Sequence, residues 1–309
     1  MDEPVQSESG SFFDFSERAK FVVRGPDALR FLNGQITNDL QKATATHAIE
    51  ACILNAKGKI NAHVFVSAAA NAYFLDAETE LRQALPARLD RYIIADAVEV
   101  EDVSDQFGLF HVLDSPPPIL PNEWKVIQAD RFTTAGWDVW MKQSEVESAR
   151  QFFASQLPIC DAECAETFRI ESGIPRWGRE LTAEIIPIEA NLEKRCIDYS
   201  KGCYIGQEVV SRMKMSGQTN KRLCGLLPLG DEPLLAGMRL TSLEENPRDV
   251  GWVTSVGHSP RLKKVIALGF VKRGFNARGT KLRSLLRGAD DNSTAVRVEV
   301  AALPFISHG

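Results

Sequence analysis

The chain of 309 residues has no run of about 18 apolar residues, the length that a membrane-spanning helix needs. Its first ten residues are acidic and polar, without the basic start and apolar run of a secretory signal. The net charge of -5 argues against the strongly basic surface that binds nucleic acid without sequence preference. We therefore expect a cytoplasmic protein with no membrane association and no strong direct nucleic-acid binding.

Cysteine and histidine are also scarce. The six cysteines are too few and too irregularly spaced for a disulfide framework. Cys160 and Cys164 lie four residues apart and could share a helix face, and we interpret them as packing residues. The five histidines are scattered, so we expect no metal site. Phosphate-binding and dinucleotide-binding glycine motifs are absent as well.

The order of helical and extended patterns is mixed, which indicates the α+β class. Gly25-Pro26-Asp27 is typical of a helix start, because proline suits the first turn and aspartate suits the positive end of the helix dipole. The tight turn Ala56–Lys59 between two strand-like runs predicts a hairpin. The run 78–91 predicts a helix, and so does Gly206–Lys214.

The last third of the chain alternates short apolar runs with turns, which predicts a small antiparallel β-barrel. We expect three regions: a disordered tail at 1–14, a ligand-binding region at 15–215 and the barrel domain at 216–309. The middle region divides into two subdomains linked near 114–121, where Ser115 is followed by three prolines.

The segment Lys201–Glu208, with the sequence KGCYIGQE, has the densest chemistry in the chain. Its two glycines permit close approach of a ligand to the main chain. Cys203 lies two residues after Lys201 and just before a predicted helix, and both features favour the thiolate. Spacing alone leaves two interpretations equally open, a reactive cysteine or a strand-to-helix turn that contains a buried one.

Residues 174–201 show little periodicity, and an ordered loop of this length is usually functional. Within it, Glu189 lies between apolar residues in a segment for which we predict a short helix at Glu189–Leu192. A buried carboxylate there would need paired donors, and a pterin ring offers an amino group beside a ring N–H. Arg169 and Glu171 precede the loop, and we interpret them as solvated charges at a helix end.

KGCYIGQE resembles the signature of the YgfZ family of folate-binding proteins, which are similar to the glycine cleavage T-protein, an aminomethyltransferase. Further segments fit that family in the same order: residues 25–39, Leu54–Lys59, Arg169–Pro175 and Pro187–Leu192. The resemblance extends from about Phe15 to Val271. It implies a three-lobed fold around a central folate channel, ending in a small antiparallel β-barrel.

The resemblance also implies the site. Tetrahydrofolate is the expected cofactor, with Glu189 on the pterin and Cys203 as the family's characteristic residue. We expect Cys203 and Lys201 to be catalytic. The residues expected to contribute to cofactor binding, besides Glu189, are Gly202, Tyr204, Gly206, Gln207 and Glu208. Family members support the assembly or repair of iron–sulfur enzymes, including those that modify tRNA, so iron–sulfur client proteins are the expected partners.

One departure from the T-protein pattern matters. T-proteins have a catalytic aspartate shortly after the strand that corresponds to 72–76, within a Ser-Asn and Lys-Asp setting that is missing here. Asp76 is displaced and does not inherit that role. Three readings follow: a folate-binding accessory protein for iron–sulfur enzymes, a folate-dependent one-carbon transferase or demethylase, and a binding module with an inert Cys203.

Overall fold

The computed structural model describes residues 10–69, 72–113, 120, 123–132, 134–286 and 295–306. The chain forms two compact units that alternate along the sequence. Unit 1 contains the chain up to Ile53, then Ala62–Ala165 and the short segment Ser200–Tyr204, and unit 2 contains the rest. The expected link near 114–121 lies outside the described residues except for residue 120. The expected domain boundaries at 15 and 215 stay predictions.

Unit 1 is built on two five-stranded sheets. Its strands are β1 (Phe12–Asp14), β2 (Ala19–Arg24), β3 (Ile49–Leu54), β4 (Ile60–Ala69), β5 (Ala72–Ala77), β6 (Glu99–Asp102), β7 (Phe107–Leu113), β8 (Lys125–Gln128), β9 (Gly136–Lys142) and β10 (Ile159–Cys160). One sheet has the order β10-β1-β7-β9-β8, and the other has the order β3-β4-β5-β2-β6.

Six α-helices occur among the described residues. They are α1 (Ala28–Gln35), α2 (Ala84–Asp90), α3 (Val146–Ala154), α4 (Ala162–Glu171), α5 (Glu193–Cys196) and α6 (Gln207–Ser216), with single 3-10 turns at Leu40–Lys42, Thr79–Leu81 and Gln143–Glu145. α6 ends at Gly217, which has a φ of 62°. This left-handed conformation, which glycine adopts without steric cost, is a common way to end a helix.

Unit 2 contains a closed six-stranded barrel. Its strands are β11 (Lys221–Pro228), β12 (Arg239–Thr241), β13 (Asp249–Ser259), β14 (Lys264–Lys272), β15 (Lys281–Leu285) and β16 (Val296–Ala301). Their order around the barrel is β11-β14-β13-β12-β15-β16, and every pair is antiparallel. Leu226, Leu240 and Val298 are fully buried in its core. The α+β class and the C-terminal antiparallel barrel are therefore confirmed.

The predicted hairpin is also present. The amide of Asn55 donates to the carbonyl of Lys59 at 2.9 Å, and the side chain of Asn55 accepts from the amides of Lys57 and Lys59. Gly58 has a φ of 72°, a conformation that disfavours other residues.

Three local predictions need correction. Residues 12–14, expected in the disordered tail, form β1, because Phe12 and Phe13 are almost fully buried there. The predicted helix at 78–91 is broken into a 3-10 turn and α2, since Pro86 lacks an amide hydrogen and its ring clashes with the preceding turn. The short helix predicted at Glu189–Leu192 begins later, at Glu193.

A buried ion-pair network joins the two sheets of unit 1. Arg131 donates to Asp76 on β5 at 2.6 and 3.0 Å and to Asp138 on β9, twice, at 2.7 Å. All three side chains are nearly inaccessible to solvent. Asp138 also bonds to Nδ1 of buried His111 at 2.8 Å, and Arg18 pairs with Asp76. Each buried charge therefore has a partner of opposite sign, as burial requires.

We predict that Arg131→Met lowers the free energy of unfolding by about 3–5 kcal/mol, because it removes the positive charge that two buried carboxylates share. Urea denaturation followed by circular dichroism measures the change. Arg82→Met is the matched control: Arg82 pairs with Asp102 and Asp105 where solvent screens the charges, so its loss should change the free energy of unfolding far less than Arg131→Met does. Equal unfolding midpoints for wild type and Arg131→Met would contradict the prediction.

Candidate functional site

The first candidate site lies in unit 2, where Glu189 is held against the barrel by its own backbone. The carbonyl of Glu189 accepts from the amide of Leu223 on β11 at 2.8 Å. Two residues later, the side chain of Asn191 donates to the carbonyl of Leu223 at 2.9 Å. Asn191 has a φ of 61°, a left-handed conformation that asparagine tolerates better than most residues. These contacts hold the backbone around Glu189 firmly on the barrel.

The carboxylate of Glu189 is 6% exposed and only partly satisfied. Its Oε2 accepts from the amide of Ile186 at 3.3 Å and lies 3.4 Å from Nζ of Lys221. No described residue donates a hydrogen bond to Oε1. Lys221 also lies 5.7 Å from the ring centre of Trp252, within the range of a cation–π contact. A nearly buried carboxylate with an open oxygen can accept a further donor.

The second candidate site is the segment Ser200–Tyr204 of unit 1. Nζ of Lys201 donates to the carbonyls of Asn33, Ile36 and Asn38 at 2.6, 2.8 and 2.7 Å. Gly202 and Cys203 are exposed, and Tyr204 is 7% exposed. Of the four free cysteines, Cys203 is the exposed one. The ambiguity between a buried and an accessible cysteine is therefore decided in favour of an accessible thiol.

The remaining residues of the motif belong to unit 2. Gly206 precedes α6 with a φ of 87°, and a Cβ there would lie 2.6 Å from the carbonyl oxygen of Asn55. Glycine is thus required both by conformation and by close approach. Gln207 and Glu208 form the first turn of α6, which confirms the predicted helix. The side chain of Glu208 is 89% exposed and pairs with Arg212 at 3.1 Å.

Asp76 is not available for acid–base chemistry. Its carboxylate is enclosed by the guanidinium groups of Arg131 and Arg18. Burial by itself raises the pKa of Asp76, but the charges and hydrogen bonds of Arg131 and Arg18 outweigh it and lower the pKa to about 2. A carboxylate that is such a weak base and has its oxygens occupied cannot readily accept a proton from a substrate.

A second buried network, in unit 2, was missed by the sequence reasoning. Arg169 donates to Glu166 at 2.5 Å, to Glu180 at 2.9 Å and to Ser255 at 2.8 Å. Glu171 is 2% exposed and bonds to Ser259. The interpretation of Arg169 and Glu171 as solvated charges was therefore wrong. No local signal in the sequence shows this, because Ser255 lies 86 residues from Arg169.

Cys160 and Cys164 form a disulfide between β10 and the first turn of α4, so the prediction that they only pack is corrected. Their Cα atoms are 5.3 Å apart, within the range that a disulfide spans. Disulfides are rare in the reducing cytoplasm, so this bond counts against the expected cytoplasmic location. Among the described residues, no helix is long and apolar enough to cross a membrane.

Two family models match the chain. One, described as the GCVT N-terminal domain, matches residues 5–113, and the other, described as the glycine cleavage T-protein C-terminal barrel domain, matches residues 221–306. The second range contains all six strands of the closed barrel.

Proteins called aminomethyltransferase match much of the chain. The one from Saccharopolyspora erythraea is 26% identical over 96% of this chain and 87% of its own length. The one from Shouchella clausii is 26% identical over 96% of this chain and 86% of its own length. The one from Aquifex aeolicus is 33% identical over 49% of this chain and 43% of its own length.

The fold is similar to that of the glycine cleavage system aminomethyltransferase T from Bartonella henselae, with a TM-score of 0.82 and 20% identity over 96% of this chain and 86% of that one. This likeness shows the fold, and the two domain matches, which together cover more than half of the chain, define the class of protein. The chain belongs to the superfamily of the glycine cleavage T-protein.

We predict a specific acid dependence of stability from Asp76. Its pKa in the folded protein, about 2, lies below the ordinary value of 3.8, so the ionised form contributes stability that is complete above the ordinary value. That contribution, on the order of 2 kcal/mol, should be lost as the pH falls from about 5 to 2. Urea denaturation across this range measures the slope of stability against pH.

Asp76→Asn should remove this part of the slope, whereas Asp90→Asn, at an exposed position at the end of α2, should keep the wild-type slope. An unchanged slope in Asp76→Asn would show that Asp76 does not titrate as described.

Proposed function

We propose that the protein binds tetrahydrofolate and transfers a one-carbon unit carried on it, as a folate-dependent transferase related to the aminomethyltransferases. Membership of the T-protein superfamily supports this proposal, and so does the likeness to aminomethyltransferases along nearly the whole chain. The observation that carries it is the carboxylate of Glu189, which has an open acceptor oxygen in an otherwise buried position.

The chemistry of Glu189 fits a pterin ring. The ring presents an amino group beside a ring N–H, and a carboxylate can accept both donors with its two oxygens. Oε1 is open, and Oε2 has only the amide of Ile186 at 3.3 Å and the ammonium of Lys221 at 3.4 Å. These are long contacts that leave capacity for a stronger bond. Because the backbone of Glu189 is bonded to β11, its carboxylate can orient a bound ring.

Tetrahydrofolate, when bound, supplies the nitrogen atoms on which a one-carbon unit is carried. The chain contributes binding and orientation through Glu189. Asp76 contributes no proton transfer, since Arg131 and Arg18 hold it as a buried, ionised partner. The proposal of cofactor contacts by Gly202, Tyr204, Gly206, Gln207 and Glu208 rests on the family motif alone and stays a prediction.

Calorimetric titration with tetrahydrofolate tests the binding step. We expect saturable binding by the wild type and a loss of affinity of about 10- to 100-fold in Glu189→Gln, because the amide turns one acceptor into a donor that faces a donor on the ring. Glu184→Gln is the matched control, since Glu184 lies in the same loop but is exposed and pairs with Lys59. Equal affinity of Glu189→Gln and the wild type would refute the assignment.

The transfer step has its own measurement. Incubation of the protein with tetrahydrofolate and an aminomethyl donor should transfer the methylene carbon to the folate nitrogens, release ammonia and return the donor group with its hydrogen restored. Chromatography detects the loaded folate, and Glu189→Gln should slow its formation at limiting folate. Binding without any transfer to folate would contradict the transferase and leave the protein as a folate-binding module.

A second candidate function, favoured by the exposed thiol of Cys203, is that of a folate-binding accessory protein for iron–sulfur enzymes, as in the YgfZ family. Cys203 is the accessible member of the four free cysteines, and it follows Lys201 and Gly202 in the family motif. A thiol at the surface can react with a partner protein, whereas the buried Cys52, Cys196 and Cys224 cannot. In this role the protein acts on iron–sulfur client enzymes, including those that modify tRNA.

The accessory role predicts that cells without the gene recover less activity of a [4Fe–4S] dehydratase after oxidant stress, and that the wild-type gene restores the recovery. Cys203→Ser should not restore it although the purified variant still binds tetrahydrofolate. Cys224→Ser, which removes a buried thiol in the barrel, is the control and should restore recovery. Full restoration by Cys203→Ser would exclude a role for this thiol.

A further inference from the structure

After Ala165, the chain returns to unit 1 in the five residues Ser200–Tyr204. Both neighbouring stretches of the chain, up to Tyr199 and from Ile205 onward, belong to unit 2. A short segment of this kind has no secondary structure of its own to hold its shape, so its conformation depends on the contacts of its side chains with unit 1.

Lys201 makes such contacts at the C-terminal end of α1. Its Nζ donates to the carbonyls of Asn33, Ile36 and Asn38, one acceptor for each of its three N–H bonds. Asn33 lies in the last turn of α1 and Ile36 is the residue that ends it. The last carbonyls of a helix have no partner within the helix and carry partial negative charge, so an ammonium group there is favourable.

The arrangement is specific for lysine. An ammonium group directs three hydrogens from one atom, and the three carbonyls converge on that atom at 2.6–2.8 Å. A guanidinium is planar, and its donors point outward as a fork, so arginine cannot reproduce the same three bonds from a single nitrogen. With its hydrogens bonded to carbonyls, the ammonium of Lys201 is committed to structure rather than to proton transfer.

Tyr204 is buried and lies beside Lys201 within the segment. Its side chain is 7% exposed, and Nζ of Lys201 lies 5.3 Å from the centre of its ring. The hydroxyl has no hydrogen-bond partner among the described residues. Burial, with a smaller contribution from Cys52, raises the pKa of Tyr204 to about 12, so the phenol stays neutral. The ring therefore provides the packing, and the hydroxyl adds no bond to a described residue.

Gly202 and Cys203 lie between these two residues and are exposed. We infer that Lys201 and Tyr204 are positioning residues that hold Cys203 in one fixed orientation at the surface of unit 1. This inference deepens the proposed role of the Cys203 motif and rests on that proposal for its functional meaning. Lys201 is then not the catalytic residue that the sequence suggested, but acts indirectly by positioning the thiol of Cys203.

The mobility of a nitroxide spin label on Cys203 tests the inference without any folate. Under non-reducing conditions the label should react selectively, because the other free cysteines are buried and Cys160 is bonded to Cys164. We expect a slowly tumbling label in the wild type. Lys201→Ala should shorten its rotational correlation time by about twofold or more, since the segment loses its three bonds to the backbone carbonyls of Asn33, Ile36 and Asn38.

Three further variants complete the experiment. Lys201→Arg should also increase the mobility of the label on Cys203. It replaces Lys201→Ala in the experiment if circular dichroism shows that Lys201→Ala does not fold. Tyr204→Phe should leave mobility unchanged, because the hydroxyl has no partner among the described residues. Lys264→Ala, which removes an exposed lysine from the barrel, is the control and should match the wild type.

Wild-type mobility in both Lys201 variants would overturn the inference. An increase in mobility with Tyr204→Phe would also count against it, because the hydroxyl would then hold the segment. Tetrahydrofolate titrations of the same proteins separate the two proposals. Absence of folate binding by the wild type would refute the proposed function and leave the spin-label result unaffected, whereas normal binding with an unchanged label in Lys201→Ala would refute only the positioning role.

Discussion

Unit 1 depends most on the two ion pairs that the guanidinium group of Arg131 forms with Asp76 and Asp138. The guanidinium group lies between Asp76 of one sheet and Asp138 of the other, with almost no access to solvent. Burying three charges is costly unless each is paired, so the two sheets cannot change their relation without leaving a carboxylate unsatisfied. A constraint of this kind favours one packing of the sheets over alternatives in which apolar side chains would fit equally well.

The same constraint determines where chemistry can occur. Asp76 lies near the end of β5, and its carboxylate balances the charges of Arg131 and Arg18. Glu189 is also buried, but its Oε1 has no donor among the described residues. The two carboxylates therefore differ in their capacity to accept a further hydrogen bond. Asp76 is a structural counter-ion, whereas Glu189 can accept a bond from a ligand.

The motif around Cys203 divides in a similar way between structure and reactivity. Lys201 is bonded to backbone carbonyls of unit 1 and Tyr204 is buried beside it, whereas Cys203 between them is exposed. Gly206, the next glycine of the motif, is required by its left-handed backbone and its close approach to Asn55. Much of what makes the motif recognisable thus serves to hold a single thiol in place, which explains why spacing alone could not distinguish a turn from a reactive cysteine.

Features that depend on neighbouring residues could be predicted from the amino-acid sequence. The hairpin at Asn55–Lys59, the start of α6 and the six barrel strands follow from turn residues and apolar periodicity, and the α+β class follows from their order. The distant partners of Arg131, Arg169 and Lys201, up to 55, 86 and 168 residues away along the chain, are visible only in the folded protein. Periodicity reports which face of an element is buried, but a buried charge takes its role from the group that meets it in space.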